Sequence, residues 1–241
     1  MRYFIELSYN GKNYHGWQTQ PDVISVQEKI NSALSTLYQQ EIQVVGAGRT
    51  DTGVHASQMF AHFDVDKIVK GDLVFKLNSI LPQDIVVYRV FEVDAEKHAR
   101  FDAVSRSYEY KVWLGRNPFL LDFSWQIHSQ NLDIKIMNEA AKLLLEYENF
   151  QTFSKVKTEV YTFNCNVTEA FWEQKGNELT FTISANRFLR NMGRAIVGTL
   201  VDVGLGKLTV TDFRKIIESK NRSNAGLSVP AKGLFLTQIK Y

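Results

Sequence analysis

The sequence has a single cysteine, Cys165, and lacks the motifs that mark metal and nucleotide sites. One cysteine excludes an internal disulfide and a thiolate metal cage, so we expect Cys165 to be a buried, unreactive thiol. None of the five histidines forms an H-E-x-x-H pair, and the G-x-x-x-x-G-K-[ST] and G-x-G-x-x-G phosphate-binding motifs are both missing. We therefore expect no catalytic metal site.

Long apolar runs and a strong net charge are missing as well. No apolar stretch approaches the roughly 20 residues of a membrane-spanning helix, and the N-terminal segment meets a carboxylate at Glu6 without a signal-peptide core. Hydrophobic residues make up 44% and charged residues 22% of the chain, as in folded globular proteins. These features predict a soluble, cytoplasmic protein with no membrane partner and with one large domain or two small ones.

The net charge is only +2, but cations are concentrated late in the chain. Residues 186–222 contain eight lysines and arginines against three acidic residues, a local excess of five positive charges. A polyanionic partner and a solvated basic face explain this excess about equally well. Arg187, Arg190 and Arg194 are three and four residues apart in a predicted helix, which would place them on one face able to grip phosphates.

Hydrophobic periodicity and turn signals predict a similar order of elements in the two halves of the chain. The first half has predicted strands at 2–9, 42–45, 59–65 and 85–93. One predicted helix follows a capping box at residues 25–28, and a second covers residues 72–81. The second half has predicted strands at 107–114, 163–174, 179–185 and 233–241, and helices at 134–145, 188–203 and 211–219. This order predicts an α+β fold of two ferredoxin-like (split β-α-β) lobes, residues 1–102 and 103–241. We expect their antiparallel sheets to join around a central cleft.

Residues 46–56 lie between two predicted strands and carry Arg49, Asp51 and His55. Glycines let this backbone adopt conformations closed to other residues, and a loop held between strands is a rigid support for chemistry. The Asp-Thr-Gly at Asp51 is also ordinary turn chemistry, which composition alone favours over a catalytic carboxylate. An aspartate flanked by arginine is suited to act as a nucleophile or an electrostatic stabiliser.

Asp-Thr-Gly also suggests an aspartic protease, in which two carboxylates share one proton. The chain contains one Asp-Thr-Gly and no Asp-Ser-Gly. Arg49 would help keep Asp51 ionised, whereas a shared proton requires one neutral carboxyl group. We therefore place this interpretation behind the others.

Aromatic residues occur in two further segments. The polar loop at residues 12–21 contains Tyr14 and Trp17 without a packing pattern, and is either solvated or an arm that touches a ligand. In the strand at 107–114, an aromatic near basic residues can act as a stacking platform for a base. For Tyr110 and Trp113 we expect core packing instead.

The motif Gly48-Arg-Thr-Asp-Thr-Gly-Val-His-Ala56 resembles the signature of the tRNA pseudouridine synthase A family. Further segments that resemble the family lie in its order at residues 14–20, 25–28, 98–101, 106–110, 186–198 and 230–235. The resemblance implies isomerisation of uridine to pseudouridine in the anticodon stem-loop of tRNA, at positions 38, 39 and 40, without a cofactor. It also implies a homodimer with one tRNA lying across both chains, and no further protein partner.

The resemblance assigns roles to five residues. Asp51 corresponds to the catalytic aspartate, and Arg49 to the side chain that fills the gap when the uridine flips out of the stack. Tyr108 corresponds to the tyrosine that stacks against the flipped base. Arg194 corresponds to the arginine that pairs with the aspartate, and Leu234 to the apolar residue that closes the pocket. Attack on the sugar, attack on the ring and abstraction of a ribose proton all remain open for Asp51.

The sequence departs from the family pattern at a few positions. Gly46 stands where a cysteine is commoner, and Ser107 and Glu109 flank Tyr108 where cations are frequent, which predicts fewer phosphate contacts there. The alternative function is a non-catalytic RNA-binding module built from the two lobes. The chain lacks the [KR]-G-[FY]-[GA]-F-V-x-[FY] strand of RNA-recognition domains, so this alternative is not supported by that motif.

Overall fold

The computed structural model describes residues 1–128, 132–156 and 160–241, which fold into two compact units. Unit 1 comprises Met1–Val104 and Phe235–Tyr241, and unit 2 comprises Ser105–Leu234. The strands are β1 (Arg2–Tyr9), β2 (Val45–Gly46), β3 (His55–Asp64), β4 (Ile85–Val93), β5 (Ser105–Leu114), β6 (Trp125–Ile127), β7 (Val167–Lys175), β8 (Glu178–Ala185) and β9 (Leu234–Lys240). The α-helices are α1 (Val26–Tyr38), α2 (Leu73–Ile80), α3 (Ile134–Lys142), α4 (Met192–Gly204) and α5 (Val210–Glu218).

Unit 1 is a sheet with its two helices between successive strands. β1 lies between β4 and β3 and is antiparallel to both, and β2 pairs with β3 on the other side. The apolar stripe of α1 is buried, and its last residue, Tyr38, packs edge-on against Phe63 of β3. The predicted capping box is confirmed, because Ser25 Oγ accepts from Glu28 N–H and the Glu28 carboxylate accepts from Ser25 N–H.

The strand predicted at 42–45 is largely wrong, because β2 contains only Val45–Gly46. Side chains of α1 bond the backbone that a longer strand would pair. Asn31 Oδ1 accepts from the N–H of Val44 at 2.9 Å, and Gln27 Nε2 donates to the carbonyl of Val44 at 2.7 Å. Such side-chain bonds compete with a strand ladder for the same groups.

Unit 2 has β5, β8 and β7 in antiparallel order, with the short β6 parallel to β5. The side-chain amide of Asn138, on α3, bonds both backbone groups of Trp172, at 3.0 and 2.7 Å, and so ties this helix to β7. Cys165 precedes β7 and is buried, as expected, and burial raises the pKa of its thiol to about 11. Thiolate chemistry at neutral pH is therefore disfavoured at this residue.

Residues 233–241 were predicted as a strand of the C-terminal lobe, but Phe235–Tyr241 cluster with unit 1. The first residues of β3, His55 and Ala56, pair with β9 in parallel, and Gln58 Oε1 accepts from the N–H of Ile239 at 2.9 Å. Periodicity predicts that a strand forms but not which strand it joins. The α+β class with mainly antiparallel sheets is confirmed. None of the helices in the described ranges has the length and apolarity needed to cross a membrane.

Candidate functional site

The loop that carries Asp51, residues 47–54, is bonded at both ends. At its start, Ala47 N–H donates to the carbonyl of Phe60 at 2.8 Å, which fixes it to β3. At its end, Val54 N–H donates to the carbonyl of Asp51 at 3.1 Å, which closes a tight turn through Gly53. Asp51 is half-buried and Arg49 is exposed. The carboxylate is therefore carried on a short, constrained turn with an exposed arginine two residues before it.

The N-terminal arm, residues 9–17, packs against this loop. Gly53 N–H donates to the carbonyl of Tyr14 at 3.2 Å, and a 2.8 Å hydrogen bond joins Tyr9 Oη to Thr50 Oγ1. Tyr14 and Trp17 are only 4% and 2% exposed. The interpretation of residues 12–21 as a solvated loop is therefore wrong for Tyr14 and Trp17. Their side chains are buried next to the Asp51 loop.

Two glycines allow this close packing. Gly16 has a φ of 85°, and a Cβ atom there would lie 2.2 Å from the carbonyl oxygen of Thr50. A Cβ atom on Gly46 would lie 2.3 Å from Nε1 of Trp17. Cysteine at position 46 would therefore require Trp17 to move, which gives the departure from the family pattern a structural consequence.

His55 is buried at the beginning of β3 and serves as a support. Its Nδ1 accepts from the N–H of Gly11 at 3.0 Å, and its ring stacks on Phe235 with a centroid distance of 4.6 Å. An accepting Nδ1 in a neutral ring places the proton on Nε2. His55 thereby joins the arm, β3 and β9 behind the Asp51 loop.

In unit 2, Tyr108 and Tyr110 lie on the same face of β5, since they are two residues apart. Tyr110 is buried, as expected, and its hydroxyl donates to the carbonyl of Pro230 at 2.8 Å. Burial raises the pKa of this phenol. Tyr108 is half-buried, and its ring meets Phe188 edge-on with a centroid distance of 4.8 Å. Trp113 is half-buried, so its predicted core packing is only partial.

The predicted helical row of three arginines is wrong. Helix α4 begins at Met192, after Asn191, whose φ of 68° is left-handed. Arg187 and Arg190 therefore precede the helix, and only Arg194 lies on it. The apolar residue Leu189 extends the helical pattern in the sequence, but in the structure its carbonyl accepts from Met192 N–H in a tight turn.

Arg194 belongs to the first turn of α4, and Leu234 packs beside that turn. Arg194 Nε donates to the carbonyl of Val229 at 2.7 Å, and Val229 N–H donates back to the carbonyl of Arg194 at 3.3 Å. A Cβ atom on Gly193 would be 3.9 Å from Cδ1 of Leu234, which is 8% exposed. The guanidinium plane of Arg194 is thus fixed through its Nε–H.

Each unit therefore groups part of the predicted site. Unit 1 carries Arg49 and Asp51 on one loop, and unit 2 carries Arg194 and Leu234 at one helix end, with Tyr108 beside Phe188. Sequence reasoning missed the supports Tyr9 and Gly16, and it named Trp17 and His55 without the supporting role that the structure gives them. Gly16, Trp17 and His55 lie within the family-like segments 14–20 and 48–56, whereas Tyr9 lies outside both. Within the described ranges, no cluster of three or more His, Cys, Asp or Glu residues is arranged to hold a metal ion.

Comparison with known proteins shows which protein family the chain belongs to. A family model described as tRNA pseudouridine synthase matches residues 140–241. Proteins named tRNA pseudouridine synthase A match along the whole chain. The one from Parabacteroides distasonis is 51% identical, with 100% of this chain and 96% of the relative covered.

Two further relatives carry the same name. The protein from Bacteroides thetaiotaomicron is 51% identical, with 100% of this chain and 90% of its own length covered. The protein from Bacillus licheniformis is 38% identical, with coverage of 100% and 99%. The chain belongs to the tRNA pseudouridine synthase A family, and the resemblance seen in its motifs is confirmed.

Proposed function

We propose that this protein isomerises uridine to pseudouridine in tRNA, at positions 38, 39 and 40 of the anticodon stem-loop, with Asp51 as the essential carboxylate. Relatives of that name match its whole length at 38–51% identity. The observation that carries the role of Asp51 is its place on a loop bonded at both ends and packed against the buried arm. Preorganised carboxylates of this kind are typical of catalytic sites.

The proposed reaction is an isomerisation that balances without a co-reactant. The bond between ribose C1′ and base N1 breaks, a bond from C1′ to C5 forms, C5 loses a proton and N1 gains one. No electrons enter or leave, so the proposal includes no redox cofactor. A carboxylate can serve such a sequence as a nucleophile or as a proton acceptor.

The uridine must leave the base stack before it can react, at a cost of a few kcal/mol. We assign Arg49 to fill the vacated space, because its side chain is exposed next to Asp51 in the sequence of the loop. Tyr108 is assigned to stack on the flipped base, since its ring is half-exposed and held from one side by Phe188. Leu234 is assigned to close the pocket.

The cations of unit 2 complete the assignment. Arg194 supplies a guanidinium whose charge favours an ionised catalytic carboxylate. Arg187 and Arg190 are proposed to contact tRNA phosphates, now as residues of the segment before α4 and not of one helical face. We further propose that the protein acts in the cytoplasm as a homodimer with one tRNA across both chains. Light scattering with and without tRNA tests the dimer, and a monomer under both conditions would contradict it.

The substitution Asp51→Asn tests the function because it removes the charge and keeps the shape. We expect pseudouridine formation in an unmodified anticodon-arm RNA, mapped by carbodiimide-stop sequencing, to fall roughly a thousandfold or more. The tRNA dissociation constant should change only a few-fold. Asp66→Asn, at an exposed aspartate of the same unit, is the matched control and should retain activity.

The outcomes separate the competing functions. Near-wild-type turnover by Asp51→Asn would refute the role of this carboxylate. Binding of tRNA by the wild-type protein without any pseudouridine would indicate the non-catalytic RNA-binding module. Peptide cleavage that needs no RNA and disappears in Asp51→Asn would indicate a protease.

A further inference from the structure

Arg222 lies in the segment after α5, and its guanidinium bonds the chain that follows it. Nη1 donates to the carbonyls of Ala225 and Gly226 at 3.4 and 3.1 Å, and Nη2 donates to Ser228 Oγ at 2.9 Å. The side chain is half-buried, and this burial lowers the pKa of the guanidinium. A planar fork shared among these acceptors holds residues 222–228 as a closed loop.

This closed loop is attached to α4. Gly226 N–H donates to Thr199 Oγ1 at 2.9 Å, and a Cβ atom on Gly198 would lie 1.9 Å from the carbonyl oxygen of Leu227. The two backbones are therefore in direct contact. Ser228 Oγ also accepts a hydrogen bond from Nδ2 of Asn191, the residue immediately before α4.

The next residue, Val229, makes the two hydrogen bonds with Arg194 described above. Because Arg194 Nε donates to the Val229 carbonyl, the position of that carbonyl sets the plane of the Arg194 guanidinium. Arg222 holds Ser228, and Ser228 is bonded to Val229 through the peptide link. A continuous path of hydrogen bonds and backbone thus leads from one guanidinium to the other.

We infer that Arg222 is a positioning residue for Arg194: it holds the loop at residues 225–229 so that the Val229 carbonyl orients the Arg194 guanidinium. This inference rests on the proposed function, in which Arg194 serves the reaction. The role of Arg222 is indirect, because its guanidinium donates three hydrogen bonds to residues 225–228 of the loop. Its loss should slow the chemical step and leave tRNA affinity nearly unchanged.

A comparison of Arg222→Lys with Arg222→Ala separates geometry from charge. Lysine retains the positive charge but presents a single nitrogen, which cannot reproduce the planar fork. We expect the single-turnover rate of pseudouridine formation to fall roughly 10- to 100-fold in both variants. A loss of this size is typical when a catalytic group is displaced by about 1 Å. The tRNA dissociation constant should change by less than about threefold. Lys135→Ala, which removes an exposed cation from α3 outside the basic segment 186–222, is the control and should keep the wild-type rate.

A double-mutant cycle tests whether the effect passes through Arg194. In the Arg194→Ala background, Arg222→Ala should add less than about twofold, because the group that it positions is already gone. Losses that multiply would overturn the inference, as would a wild-type rate in Arg222→Lys or a loss expressed only in tRNA affinity. A wild-type protein that forms no pseudouridine would instead overturn the proposed function itself.

Thermal unfolding of each variant shows whether it is folded in the assay. Should Arg222→Ala unfold, Ser228→Ala runs the same cycle, because it removes one hydroxyl and leaves the bonds of Arg222 to the carbonyls of Ala225 and Gly226. A loss of a few-fold that vanishes in the Arg194→Ala background supports the inference. An equal loss in both backgrounds overturns it.

Discussion

Gly16 and Thr50 are in backbone contact: a Cβ atom on Gly16 would lie 2.2 Å from the carbonyl oxygen of Thr50. The same atom would lie 3.2 Å from the carbonyl carbon of Asp51. The N–H of Trp17, the next residue in the arm, donates to the same Thr50 oxygen at 3.4 Å. The backbone beneath the proposed catalytic carboxylate is therefore held by the N-terminal arm.

We expect Gly16→Ala to cause a large loss of kcat and a smaller relative loss in the free energy of unfolding. The new methyl group displaces the Asp51 loop, so we expect kcat to fall roughly 10- to 100-fold while tRNA binding is retained. Gly71→Ala is the matched control, because Gly71 has the same φ of 85° but its nearest neighbour would be 3.7 Å away. It carries the backbone strain without the collision. Equal effects of the two substitutions on kcat would contradict the argument.

The hydrogen bond between Tyr9 and Thr50 should also contribute to catalysis. Tyr9→Phe removes a 2.8 Å bond to the Thr50 hydroxyl, so we expect about 1 kcal/mol less stability and a several-fold lower single-turnover rate. Urea unfolding and the pseudouridine assay measure the two effects. Thr50→Val completes a double-mutant cycle, in which a coupling energy near zero would mean that this bond does not hold the loop.

Local elements of the fold were predictable from the sequence because their signals are local. The capping box at Ser25 and Glu28 formed as predicted, and strand β4 has the predicted bounds, Ile85–Val93. The Asp51 loop was recognised from its own residues. Its supports were not, because contacts such as that of Gly16 with Thr50 join residues distant in the sequence.

The start of α4 and the partner of β9 were beyond local reasoning for a similar reason. A periodic apolar pattern extends back through Leu189, but the left-handed conformation of Asn191 prevents the helix from starting before Met192. Asparagine adopts this conformation more often than most residues, but its presence in a sequence does not show where it does so. Likewise, Phe235 fits a strand in any sheet. Its stacking on His55 in unit 1 depends on the tertiary fold.

The ring of Tyr108 should matter more to the reaction than its hydroxyl. If the ring stacks on the flipped base, Tyr108→Leu should lose more activity than Tyr108→Phe, by roughly 1–3 kcal/mol in transition-state free energy. Single-turnover kinetics on one anticodon-arm substrate give the comparison, with urea unfolding to show that both variants are folded. Equal rates for the leucine and phenylalanine variants would argue against stacking.

A buried histidine in unit 1 should make stability depend on pH. His62 is 4% exposed on β3, and its Nδ1 accepts from the N–H of Ala99 at 3.1 Å. Burial, followed by the positive charges of Arg2 and His98, lowers the pKa of His62 to about 4, although Asp64 and Asp102 act in the opposite direction. Protonation of the ring would remove the acceptor and place a charge in the core.

The sign of the effect follows from proton binding. An unfolded histidine has a pKa near 6.5, so between pH 6.5 and 4 the unfolded chain binds more protons than the folded one, and stability falls as the pH falls. The contribution is fully present above pH 6.5, and at most roughly 3 kcal/mol is lost by pH 4. His98 acts in the same direction, because burial lowers its pKa too.

Urea unfolding between pH 7.5 and 4.5 measures this dependence. His62→Gln keeps an acceptor for Ala99 but cannot titrate, so its stability should fall less steeply with pH than that of the wild type. His15→Gln removes an exposed histidine and is the control for the loss of one imidazole at the surface. Parallel curves for the wild type and His62→Gln would show that His62 does not control acid stability, and the fall would then belong to His98 or to the carboxylates.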